Sequence, residues 1–475
     1  MLRVSAVAER AGVPAVSLVS EGFVGQARNT AAGIGMPGLA LAVVPSHPDV
    51  QSDAELAANV ANTTLGMVVD GLTGAVAEVG ALSEPDPDVP VFEGTYDEVN
   101  RFFTENLWSD GLPIVPPTRE RIEAFLAFTD RPADAVLGNA LPDNRAATVR
   151  SVAVNGVMAG CRPEYMPILV ALAEAMVDPA YGNEHSGNTP GAETQIVLNG
   201  PLIKQLGFNY EQGALRDGVQ ANTSIGRFWR LYLRNVAGFL LHQNDKGTFG
   251  GTWRVVLAEN EDVLAEMKWP TVAVDAGAPE GANAVSVARY TGAHVVVSVF
   301  GRTAEECVPY LADALVKYTG WELIFTVGMA NGTYRPMLVL SPIIAKTIAS
   351  SGWTKAMLQQ ALFEQARMPA RLFEQYISGW TNLVPGKRSL FDLARLGKAP
   401  KMFGASRDPE RLVPIVFEPG HITIAVAGDP LRTNCYCLTH NGMLGFPTTK
   451  LVALPDDWRA RDRPRSGSVQ LCGGR

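Results

Sequence analysis

The chain is poor in the features that mark several large protein classes. Only five cysteines occur in 475 residues (Cys161, Cys307, Cys435, Cys437 and Cys472), too few and too scattered for a disulfide framework; the odd count points to a reducing cytosol. No apolar run approaches the roughly 18 residues that a membrane-spanning helix needs. No block of Lys and Arg supplies a footprint for nucleic acid or anionic lipid, and the net charge of −8 runs the other way. The first twelve residues carry Arg3, Glu9 and Arg10 in place of the apolar core of a signal peptide. These absences point to a cytoplasmic protein without nucleic-acid or membrane partners. What is abundant is apolar residues, at 47%, against 19% charged, the balance of a chain with a sizeable core. With 46 Gly and 32 Pro, many tight turns are expected.

Residues 1–76 alternate helix and strand patterns: helical over 2–11, a strand over 14–20, helical over 23–33, a strand over 39–44 and a long amphipathic helix over 53–76. This order argues a parallel sheet with right-handed crossovers. Because a helix comes first, it reads as a small truncated parallel α/β domain lacking its opening strand and loop. Residues 77–94, with three prolines and five acids, have linker composition. Residues 95–475 form a larger domain of α/β or α+β class. Thr95 with Glu98 makes a capping box, Asp110–Thr118 breaks the helix that follows, and a helix–turn–helix spans 148–178. Short strands are expected at 195–198, 253–257, 271–274, 294–300, 338–340 and 422–427. Helices are expected at 222–240, 303–316, 342–350, 354–366 and 370–378.

Several motifs carry chemistry. Gly33–Gly38 matches G-x-G-x-x-G, but a helix precedes it and a strand follows, the reverse of a dinucleotide site, so a helix C-cap and turn is the better account. Cys161 and Arg162 fall where Pro163 starts a helix, with Glu164 in the first turn and Tyr165 beside it. A helix N-terminus and a guanidinium would lower the thiol pKa; a packed cysteine beside a structural Arg162–Glu164 pair is the competing reading. Gly218–Arg227 resembles an anion cradle, with Asn222, Thr223 and Ser224 as helix caps and Arg227 and Arg230 further along; plain capping and ion pairing would account for the same residues. Cys435, Cys437 and His440, placed in a glycine-bounded loop, lack the second ligand pair of a structural zinc site.

The stretches Asp110–Pro117 (DGLPIVPP), Asn155–Tyr165 (NGVMAGCRPEY), Asn199-Gly200-Pro201, Ala221–Arg227 (ANTSIGR) and Ala258-Glu259-Asn260 resemble the large domain associated with the bacterial UGSC (seleno)protein family. Ser341–Trp353 continues the likeness. Residues 1–80 are similar to the distal part of the UGSC domain itself, without its Sec/Cys-Gly-Ser-Cys motif. The resemblance implies redox or carbon–heteroatom chemistry on a small metabolite and names no cofactor. The leading expectation is an enzyme, an oxidoreductase or lyase, with a thiol-assisted site. Cys161, Glu164 and Tyr165 would be catalytic; Arg162, Asn199, Asn222, Ser224 and Arg227 would bind an anionic substrate; no metal is assigned there. One alternative is an accessory subunit partnered by a chain bearing the Sec/Cys-Gly-Ser-Cys loop. Another is a metal-dependent lyase or hydrolase using His421, Asp429, Cys435, Cys437 and His440. A homodimer or higher homo-oligomer is expected, because an 80-residue domain cannot bury all its apolar helix faces.

Overall fold

The computed structural model describes residues 2–74, 86, 89–328, 330–378 and 389–461. Much of the expected linker 77–94, the end of the helix expected to reach 76, and the chain beyond 461 with Cys472 lie outside the described residues. The protein is of α/β class. In the N-terminal unit, the helix Leu2–Arg10, strand β1 (Ser17–Ser20), the helix Val24–Gly33 and strand β2 (Leu41–Val44) follow one another. The two strands pair in parallel from Ser17↔Leu41 to Ser20↔Val44, as the alternating pattern predicts. Gly33 ends its helix, and the amide of Met36 returns to the carbonyl of Ala31, so the glycine motif is a helix terminus.

The long helix after β2 is capped by Ser52 and Glu55 in a reciprocal box. It runs Asp53–Asn59, widens into a π-turn at Val60–Thr64 and resumes over Leu65–Thr73. Thr64 Oγ1 donates to the carbonyl of Val43 at 2.9 Å. A Cβ on Gly71 would lie 2.6 Å from a methyl of Val16, so the missing side chain lets the helix close on the strands. The unit meets the rest of the chain through an Arg3–Glu184 ion pair and through Gly33, which abuts the backbone of Pro142.

Strands β3 (Val136–Ala140) and β4 (Arg145–Thr148) form a hairpin. The centre of the protein is a mixed sheet made by β5 (Glu193–Asn199), β6 (Leu257–Ala258), β7 (Ala284–Val296) and β8 (Met337–Leu340). Two short strands, β9 (Arg367–Pro369) and β10 (Leu412–Pro414), pair with each other apart from it. The sheet is completed by β11 (Thr423–Val426), β12 (Cys435–His440) and β13 (Thr448–Leu451), in the order β11-β8-β12-β7-β5-β6 with β13 on β7. Side chains alternate across the pleat. One face of β5 and β7 packs on the helices Val149–Met158, Met166–Val177 and Gln220–Asn235 through Ile196, Leu198, Val285 and Val287. One face of β8, β11 and β12 packs on a second helical layer through Leu338, Leu340, Ile424, Cys435 and Cys437. The opposite face carries a thinner core around Val197, Ala288, Tyr290, Met337 and Leu438.

Four expectations need correction. Thr271–Val274 is no strand: Thr271 caps a short helix, Val272–Asp275, whose first amides donate to Glu259 and Asn199. The β-branched residues there are held by these buried acceptors rather than by a ladder. Of the strand expected at 294–300, only 294–296 is strand, the far end of β7, which begins at Ala284; the one expected at 253–257 is regular only at Leu257–Ala258. The segment Cys435–His440 is no loop but a central strand, paired with β8 on one side and β7 on the other. Among the described residues, no helix is long and apolar enough to cross a membrane.

Candidate active site

Of the residues expected to gather around Cys161, Ser224 and Arg227 lie beside it and Asn199 does not. The helix Val149–Met158 ends at Gly160 in the left-handed conformation (φ 77°). The chain then turns through Cys161 into a 3-10 turn, Pro163–Tyr165. Gln220, first in the helix Gln220–Asn235, donates to the carbonyl of Gly160 at 3.0 Å and so brings Ser224 and Arg227 over Cys161. The thiol is buried, and burial pushes it up to about 12 despite Ser224 and Arg227. The expected lowering by a helix terminus is therefore reversed: a three-residue turn has little dipole to offset desolvation. Tyr165 is also pushed up to about 12 by burial, with the Arg162 guanidinium 4.9 Å from its ring centre. Arg162 lies 3.7 Å from Glu164, whose Oε2 is buried without a hydrogen-bond partner.

The cradle expected at 218–227 is differently built. Val219 is the N-cap and gives no side-chain bond. Asn222, inside the helix, exchanges two bonds with Asn209 and donates to the carbonyl of Val256, which fully occupies its amide. Ser224 donates to Gln220, and Thr223 accepts from the amide of Gly218. These residues staple neighbouring loops to the helix. Arg227 forms a two-pronged pair with Asp110, both contacts 2.8 Å, and also donates to the carbonyl of Pro113. Burial disfavours the charged form of Asp110, but Arg227 outweighs it and holds the carboxyl below its usual range. Asn199 lies apart, at the far end of β5, bonded to Glu259, Glu261 and the amide of Ala273.

The cysteine–histidine set does not gather. Cys435 and Cys437 point into the helical core, and burial raises both thiols, Cys437 to about 12. His440 is fully buried, accepts from the amide of Arg335 and packs edge-on to Tyr290; burial and Arg335 push it down to about 3. Among the described residues, no three His, Cys, Asp or Glu side chains are grouped to hold a metal.

A second constellation lies one turn further along the Gln220–Asn235 helix, and of its residues the sequence motifs single out only Arg230. Glu193 opens β5 opposite Tyr290 of β7 and is 7% exposed. Arg230 reaches it at 3.6 Å and binds Asp245 at 2.6 Å. Burial, only partly offset by Arg230, pushes Glu193 up to about 7. Arg254 interacts electrostatically with both Glu193 and Tyr290, and its Nε is buried without a partner. Arg254 is brought in by Gly226, where a Cβ would fall 2.1 Å from the Arg254 carbonyl oxygen. The glycine-rich loop 244–252 lies against Glu193, with Gly251 beside its side chain, and a second glycine-rich loop, 186–192, packs on the first. The arrangement sets one carboxyl that ionises near neutrality among two guanidiniums. It can give or take a proton beside a bound anion. A surface cavity of about 330 Å³ lies elsewhere, between Val263, Pro342, Ile343 and Pro430. Its one lysine, Lys346, is engaged by Glu266 at 2.5 Å, so it holds no comparable chemistry.

Residues 2–74 match the UGSC family, in agreement with the likeness read from the sequence, and that match stops at the N-terminal unit. No curated protein and no solved structure matches the chain.

Proposed function

We propose that the chain is an enzyme that acts on a small anionic metabolite by proton transfer, with Glu193 as the group that moves the proton. The observation that supports this is the buried Glu193 carboxyl, held near neutrality beside Arg230 and Arg254. A general acid–base is most effective when its pKa lies near the working pH. Carbon–heteroatom elimination and isomerisation both begin with such a transfer. The thiol-assisted route is less well supported, because a Cys161 thiol at about 12 stays protonated near neutral pH.

The test is solvent exchange. The protein is incubated in D2O with a panel of 2-oxo, 2-hydroxy and 3-hydroxy carboxylates, and loss of C–H signal is followed by NMR. Enzyme-dependent exchange that falls by about 100-fold or more in Glu193→Gln and persists in Cys161→Ala is the expected result. Exchange that survives Glu193→Gln and vanishes in Cys161→Ala would return the chemistry to the thiol.

A second reading, that the N-terminal unit is a docking module for another chain, is favoured by one observation. The helix Leu65–Thr73 buries none of its residues and leaves Leu65, Val69 and Leu72 exposed, three positions that share one side. A second copy or a chain bearing the Sec/Cys-Gly-Ser-Cys loop would cover it. Light scattering at micromolar concentration separates these cases from a bare monomer.

A further inference from the structure

The loop over Glu193 is built to move. Residues 244–252 contain Gly247, Gly250 and Gly251 and form no helix or strand beyond a single bridge at Asp245. The base is anchored by Asn244, which is buried and accepts from the amide of Leu240. The tip is Phe249, 97% exposed, with no packing on the body of the protein. Between base and tip, two backbone bonds tie the loop to its neighbour, Lys246 to Gly187 and Thr248 to Thr189. A Cβ on Gly191 would fall 2.6 Å from the Cα of Gly250, so the two loops meet where neither has a side chain to interlock. A side-chain tie adds to these: Asp245 on Arg230, with the two side chains 9% and 19% exposed.

We propose that Arg230 is the carboxylate-binding residue of this site and that Asp245, at the root of a glycine-rich flap, is an internal stand-in that a carboxylate substrate displaces. The proposal rests on the reading of Glu193 as the proton-transfer group. Arg230 is not saturated by Asp245: one terminal nitrogen makes the 2.6 Å bond, and the other stands 3.6 Å from Glu193, beyond a normal hydrogen bond. A guanidinium presents a fork suited to two carboxylate oxygens, so an incoming carboxylate can take both prongs where Asp245 takes one. Charge selects the class. Exchanging one carboxylate for another leaves Arg230 and Arg254 balanced against Glu193 and its neighbour. A phosphate dianion would add a further negative charge beside a buried carboxyl that already resists ionisation. Release of Asp245 frees the flap, which uncovers Glu193.

The experiment uses the full chain and propionate as the probe. Propionate affinity is measured by ligand-observed NMR, and hydrogen exchange of the peptide spanning 244–252 is followed by mass spectrometry. In Asp245→Asn the internal competitor is gone, so propionate should bind about tenfold tighter and the flap amides should exchange about tenfold faster. In the unmodified protein, saturating propionate should speed exchange of the same amides. Arg230→Gln should abolish binding; Arg230→Lys, which keeps the charge and loses the fork, should weaken it if the first variant does not fold. Unchanged or weaker propionate binding in Asp245→Asn would mark the pair as structural and overturn the proposal. Binding of inorganic phosphate in preference to propionate would overturn the carboxylate assignment. Glu193→Gln keeps Arg230 and should still bind propionate, so loss of proton exchange there and loss of binding here fail independently.

Discussion

Replacing Glu193 by Gln should remove most of one specific pH dependence of stability. A carboxyl that ionises near 4.5 in the unfolded chain and near 7 when folded binds more protons in the folded state between those values. Stability then falls as pH rises through that window and levels off above it. Full displacement is worth about 3–4 kcal/mol, for the rise from 4.5 to about 7 at about 1.4 kcal/mol per pH unit. Integration between pH 5 and pH 8 gives a loss of about 2–3 kcal/mol, because part of the window lies below pH 5. Gln is nearly isosteric and does not titrate. Urea unfolding of both proteins at pH 5 and pH 8, monitored by circular dichroism, isolates the contribution as a difference of differences. The unmodified protein should lose about 2–3 kcal/mol more than Glu193→Gln over that interval, with the urea slope unchanged. If the two proteins lose stability in parallel, Glu193 is ionised throughout, and the acid–base argument fails with it.

Other outcomes follow from single contacts. Asp110→Ala leaves Arg227 buried without its counter-charge and should cost about 3–5 kcal/mol in urea unfolding; a cost under about 1 kcal/mol would show that water replaces the carboxylate. Gly226→Ala should destabilise by about 1–3 kcal/mol through the clash with the Arg254 carbonyl, although alanine in a helix interior is ordinarily favourable by about 1 kcal/mol; propionate binding should weaken in the same variant. Iodoacetamide at pH 8, with peptide mapping, should leave Cys161, Cys435 and Cys437 unlabelled in the folded protein, since burial raises all three thiols. Rapid labelling of Cys161 would contradict its burial.

Features decided by near neighbours are legible in the amino-acid order itself. Thr95 and Glu98 cap each other within four residues, and Thr118 caps the helix Arg119–Leu126; both signals lie in the sequence next to their effect. The same holds for the parallel pair in the N-terminal unit. Thr271–Val274 has the composition of a strand, yet the groups that hold it helical, Glu259 and Asn199, are brought by other strands. Cys435–His440 looks like a loop because the prolines and glycines around it give a strong local signal, whereas a strand buried on both sides owes its state to β7 and β8. The contacts linking Cys161, Ser224 and Arg227 are foreshadowed by their helix-terminal motifs, but the partner of Arg227, Asp110, lies 117 residues earlier. Glu193 carries no motif at all. Its chemistry arises from burial beside two loops, and the only trace in the sequence is their composition, SGNTPG at 186–191 and NDKGTFGG at 244–251.

The position of β12 in the sheet bears on how the chain is made. It lies between β8 and β7, yet it leaves the ribosome after both, separated from β7 by about 140 residues of sequence. Before it emerges the strands of the sheet can pair only as two halves: β11 on β8, and β5, β6 and β7 together. Each half presents a row of unpaired backbone groups at the edge that β12 will fill, and open edges of this kind recruit other strands. Closing so distant a pairing is slow, and synthesis at about 5–20 residues per second leaves the gap open for many seconds. Nascent chains stalled before Cys435 should therefore be the species that aggregate and engage chaperones, whereas chains released after His440 should zip the two halves together in one step.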